Sequence, residues 1–200
     1  MNSFSIALFL HIVGALGVSV ALGLEWIGMS QIRRATVPKE IRAILGLVKS
    51  TNRFGFISML AALITGFYMV LTAVGWVPWI LVTLGALVFV IVLTRALTVP
   101  RMAAIGRILA TEKDPVSQTF HNLVNDPVLW ISIQTRVAIV LGIVFLKVAT
   151  PDLGGSLLTM CVAIVIGIAS ALPMSRRAGA HEASTHYSRQ RQPCIRRSKR

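Results

Sequence analysis

Residues 4–29, FSIALFLHIVGALGVSVALGLEWIGM, decide the fold class. The run is almost wholly apolar and long enough to cross a bilayer as one helix. Within it Ala7, His11, Gly14, Val18, Ala21, Glu25 and Gly28 follow one another at alternating steps of four and three. That spacing draws a single seam along a helix, the stripe by which it packs on a neighbour. His11 and Glu25 are therefore expected to face other protein rather than lipid. An ionisable group in that position is a candidate functional residue.

Further apolar runs cover roughly residues 54–73, 77–97, 128–149 and 155–172. The 200 residues are 55% hydrophobic and only 14% charged, and their mean hydropathy is +0.76. Five crossings leave little chain for a soluble domain. The expected fold is all-α, a polytopic membrane helix bundle of five transmembrane helices over residues 1–173, followed by a basic, disordered cytoplasmic tail over 174–200. The first run is expected to remain as a span rather than to be a cleaved signal, because Met1-Asn2-Ser3 carries no positive charge and the apolar stretch outruns a typical signal core.

Basic residues orient the bundle. Arg33, Arg34, Lys39, Arg42, Lys49 and Arg53 lie between the first two runs, and Arg95, Arg101, Arg107 and Lys113 lie in or beside the link between the third and fourth. Eight more follow Leu172, whereas the remaining two links have none beyond Lys147 at an edge. All clusters fall on one side if the amino terminus is outside and the carboxyl terminus inside, as an odd number of spans requires. A multi-pass protein of the bacterial inner membrane is expected. The net charge of +13 then belongs to topology and to anionic lipid headgroups at the inner face, not to nucleic acid, since no aromatic platform accompanies it.

The links carry helix signals. Thr36 and Pro38 can open an amphipathic helix with Ile41, Ile44, Leu45 and Val48 on one face. Asp114-Pro115 and Asp126-Pro127 each set a capping carboxylate before a proline, the first ahead of Val116, Phe120 and Leu123, the second ahead of the fourth span. These read as connectors lying in the headgroup layer or docked under the bundle. A largely small and polar seam runs through Gly55, Ser58, Ala62, Thr65, Met69 and Thr72, and a stripe of small residues through Ala163, Gly167 and Ala171, as close helix packing requires.

Cys161 and Cys194 are too isolated to form a framework, and no paired Cys/His spacing supports a metal site. The intramembrane polar candidates are His11, Glu25 and Arg136. His11 should sit about 10 Å below the outer surface, and Arg136 roughly 12 to 14 Å in from the inner one, so the two are expected to approach one cavity. Glu25 should pair with Arg33, Arg95 or Arg136. His11 has an ordinary reading, a neutral imidazole bonded to a carbonyl or serine of the next helix, and a sharper one, a haem ligand or proton carrier.

The stretch Phe9-Leu10-His11-Ile12-Val13-Gly14 resembles the opening of a group of small bacterial membrane proteins that includes HemJ-type protoporphyrinogen oxidases, the copper-resistance D proteins and uncharacterised relatives. Ile64-Thr65-Gly66-Phe67-Tyr68 before Trp76 and Trp79, and Gln134-Thr135-Arg136 before Pro151-Asp152-Leu153, are similar to the uncharacterised members. The chain departs from the HemJ pattern in having Ala15-Leu16-Gly17 after the histidine, Arg33-Arg34 at the end of the span, and no lysine in the third span. The resemblance implies a helix bundle with haem b on His11 in a redox role, and Arg136 offering charge to a propionate. Two other classes stay open, a structural or assembly subunit working as a homo- or hetero-oligomer and a small transporter accessory.

Overall fold

A computed structural model describes residues 2–35, 37–111 and 118–190, and among them every regular element is helical. In chain order these are α1 (Ser3–Ile32), α2 (Pro38–Met69), α3 (Pro78–Leu93), α4 (Val99–Thr111), α5 (Gln118–Val124), α6 (Pro127–Ala149) and α7 (Leu153–Gln190). Five stretches are long and apolar enough to cross a membrane: Ser3–Ile32, Pro38–Val74, Pro78–Ala110, Thr119–Ala149 and Leu153–Ala171. The chain is a multi-pass, all-α membrane bundle.

Local chemistry fixes the helix ends. Pro38, Pro78 and Pro127 each stand in the first turn, where the missing N–H is no loss, and Val37 and Val77 before two of them are extended. The Asp126 carboxylate caps α6 by accepting from Val128 N at 2.9 Å. At the far end of α2 the last turn widens to a π-turn over Val70–Val74, and Gly75 then takes φ 73°, a conformation that only glycine enters freely. Thr150 ends α6 at φ 41°, ψ 51° with a β-branched side chain, which is strained.

Two expectations about the links need correction. The amphipathic segment beginning at Pro38 is no separate surface helix, because α2 runs unbroken from it into the second span. Likewise α3 passes through a π-turn at Thr94–Thr98 directly into α4, so Arg95 and Arg101 sit on a continuation of the third span. In α2 no proline follows Pro38, so nothing stops the helix between its amphipathic and apolar parts. In the third span Pro100 follows the π-turn at Thr94–Thr98, which lets the helix pass it without ending. The Asp126 cap is found, and α5 carries Phe120 fully buried beneath the bundle. Thr36 and the Asp114-Pro115 cap lie outside the described residues. No break marks Met174: α7 stays helical to Gln190, and 191–200 lie outside the described residues.

α1 packs chiefly on α2, and α6 on α7, with α3 against both α6 and α7. Glycines set these distances. A Cβ at Gly14 would stand 2.8 Å from the Ser58 carbonyl oxygen and 2.9 Å from Ala62 N, and one at Gly167 would stand 2.5 Å from Thr135 Cα. The two groups of helices join at the end where α1 finishes and α6 begins. There Met29, Ile32, Ile41, Ile105, Phe120, Leu129, Trp130 and Ile133 build one core from α1, α2, α4, α5 and α6. α1 alone is about 45 Å long, against a hydrocarbon layer of about 30 Å, so it is longer than one crossing needs.

Candidate functional site

The seam of α1 is largely as its spacing predicts. Ala7, Gly14, Ala21, Glu25 and Gly28 are buried, and His11 and Val18 are half-buried. Its two ionisable groups meet different partners at different depths.

Glu25 pairs with Arg136 of α6. Arg136 Nη2 donates to Glu25 Oε1 at 2.8 Å and Nη1 to Oε2 at 3.1 Å, while Nε reaches the Ser132 carbonyl at 3.3 Å. Both side chains are at most 4% exposed. The fork-to-carboxylate geometry satisfies both charges at once, which a site closed to water demands. Around the pair, Thr98 and Ser132 share a 3.0 Å hydrogen bond, and Thr135 Oγ1 is buried without a partner among the described residues. Of the three arginines that sequence offers to Glu25, Arg136 is the one that takes it.

His11 faces α2 instead. Its Nδ1 lies 2.7 Å from the Ala62 carbonyl oxygen, and since a carbonyl can only accept, that nitrogen carries the proton. Nε2 is then the lone-pair nitrogen, with no hydrogen-bond partner among the described residues. Gly66 provides the seat, for a Cβ there would come within 2.8 Å of His11 Cε1. Lys147 of α6 lies within electrostatic reach of the ring.

His11 and Arg136 therefore do not line one cavity. Fourteen residues of helix separate His11 from Glu25, about 21 Å at 1.5 Å per residue, and Arg136 is held at the level of Glu25. The depth arithmetic fails because it counts the two residues from opposite faces of a slab about 30 Å thick, whereas α1, with 30 residues, is itself about 45 Å long. Lys147 is the cation near His11, and sequence could have shown it. Residues 136 and 147 stand about three turns apart on one face of α6, and 11 and 25 about four turns apart on α1.

At the basic end, Arg33 donates to Asn125 Oδ1 at 2.8 Å and lies over the Trp130 ring at 4.8 Å. Burial pulls its guanidinium below the ordinary arginine value, which leaves it charged. Arg101 pairs with Asp126 at 2.6 Å. His121 lies edge-on to Phe120 in α5, remote from His11 in the fold. Among the described residues no group of His, Cys, Asp and Glu could hold a metal ion. Comparison of the chain with protein-family models, with curated proteins and with solved structures gives no match.

Proposed function

We propose that this multi-pass protein holds haem b through His11 and serves a redox role, as a relative of the HemJ-type and copper-resistance D group. The observation that carries the reading is the 2.7 Å bond from His11 Nδ1 to the Ala62 carbonyl. Tying one ring nitrogen to a backbone oxygen fixes the tautomer and leaves Nε2 free for iron, the arrangement that histidine ligands of metals generally share. In this reading His11 Nε2 is the one protein ligand to the iron. A haem there supplies one-electron chemistry at its iron. Ala62 orients the imidazole, Gly66 lets the ring lie close to α2, and Lys147 offers a positive charge to a propionate. Arg136 takes no share, because its guanidinium is committed to Glu25 and Ser132.

The orientation that goes with this reading puts the amino terminus outside a bacterial inner membrane and the carboxyl terminus inside. It rests on Arg33, Arg34, Lys39, Arg42 and Arg101 gathering at one end of the bundle.

The alternative is that this hydrogen bond serves as a clamp between α1 and α2 and His11 carries no ligand, as in a structural or assembly subunit. Titrating purified protein with hemin separates the two. The haem reading expects saturable binding with a Soret shift that His11→Ala loses while keeping wild-type helicity. Spectra that add as free hemin would leave the clamp as the role of His11.

A further inference from the structure

Between α1 and α6 lies a groove of about 280 Å³. Ser19, Gly23 and Trp26 line it from α1, and Gln134, Val137 and Leu141 from α6. Its walls are mostly apolar, as a lipid-facing cleft must be. Two features at its basic end set it apart from a simple irregularity between helices.

The first is charge. Trp26 and Ser30 follow at a four-residue step and α1 ends at Ile32, so Arg33 and Arg34 stand in the turn just beyond the groove end of α1. Arg33 meets only the neutral Asn125 amide and the Trp130 ring, and no carboxylate pairs with Arg34 among the described residues. Two guanidinium groups thus stand at this end without an ion pair among the described residues, while Glu25 and Asp126 are taken by Arg136 and Arg101. The C-terminal end of α1 is itself repulsive to anions, so these side chains are what could hold one.

The second is polarity just inside the mouth. The Trp26 indole N–H and the Gln134 carboxamide make no hydrogen bond among the described residues, although both belong to the groove lining. An amide beside an apolar cleft calls for a partner. A phospholipid presents the matching sequence of groups: phosphate in the headgroup layer, ester carbonyls just below it, and hydrocarbon deeper. Trp is the side chain that settles at that boundary.

We infer that the groove between α1 and α6 is a site for one anionic phospholipid, with its phosphate at Arg33 and Arg34, its ester oxygens at Trp26 and Gln134, and one acyl chain along Gly23, Val137 and Leu141. The site is independent of His11 and of any haem.

Gly23 gives a clean test. A Cβ there meets nothing within 4 Å, so Gly23→Leu directs its side chain into the groove from an unobstructed position, and Gly46→Leu, whose Cβ is equally unobstructed but on α2, is the control. Native mass spectrometry of the full chain, titrated with phosphatidylglycerol or phosphatidylcholine, reads the bound lipid directly. Wild type and Gly46→Leu should retain one phosphatidylglycerol at least tenfold more strongly than phosphatidylcholine. Gly23→Leu should lose both lipids, and Arg33→Gln/Arg34→Gln should lose only the preference. Equal retention of the two lipids by wild type, or undiminished retention by Gly23→Leu, would overturn the assignment. Thermal midpoints measured alongside identify a variant that fails to fold, and Arg34→Gln alone, exposed and unpaired, then replaces the double variant.

Discussion

Removing one member of the Glu25–Arg136 pair tests whether the two halves of the bundle are joined as described. Both groups are at most 4% exposed and fully engaged with each other, so Arg136→Met strands a carboxylate in a site without water. Breaking a buried pair in this way costs about 3–5 kcal/mol. For a chain of this size that lowers the thermal midpoint by roughly 6 to 20 °C. Glu25→Leu alone should fall in the same range, because it leaves the guanidinium stranded. The double variant, Glu25→Leu/Arg136→Met, removes both charges and keeps the volume, and should return to within about 1–2 kcal/mol of wild type. Thermal unfolding in detergent, followed by circular dichroism on all four proteins, gives the cycle. If Arg136→Met unfolds within about 2 °C of wild type, the pair is solvated or unformed and the reasoning fails.

Three further outcomes follow from the geometry. Gly14→Ala brings a Cβ to 2.8 Å from a backbone oxygen on α2, so the helices must part at a cost of about 1–3 kcal/mol, whereas Gly23→Ala should be neutral or slightly stabilising; paired thermal shifts would read this. Thr150→Asn relieves a β-branched residue held at φ 41° and should raise stability by about 0.5–1 kcal/mol in chemical unfolding, with no gain expected had the strain been absent. For orientation, Lys49→Cys in a chain with Cys161 and Cys194 changed to Ser should react with a membrane-impermeant maleimide only after cells are opened; labelling of intact cells would reverse the topology.

Much of this was legible in the chain because a bilayer simplifies the problem. Apolar length marks the spans, and the 4-3 seam from Ala7 to Gly28 marks the face of α1 that packs, where Gly14 meets α2 and Glu25 meets α6. The Asp126-Pro127 cap could likewise be read from two residues, since capping is local. What the sequence hid was depth. Amphipathic and apolar stretches that look like separate helices join end to end at 38–69 and 78–111, and Arg136 is held at the level of Glu25, away from His11. Partner choice was also hidden. Glu25 had three arginines within plausible reach, and only the packing of α6 against α1 selects Arg136, leaving Lys147 as the cation whose charge reaches His11.

The central claim is that His11 Nε2 is open to iron, and replacing the side chain with free imidazole tests it most directly. His11→Gly removes the ring and leaves its seat against Gly66. Wild type, purified from haem-replete cells, should show a Soret band with sharpened α and β bands on reduction. The variant should lose them and regain them when imidazole is added with hemin. A colourless wild type, or a Soret band that His11→Gly keeps without imidazole, would contradict the account.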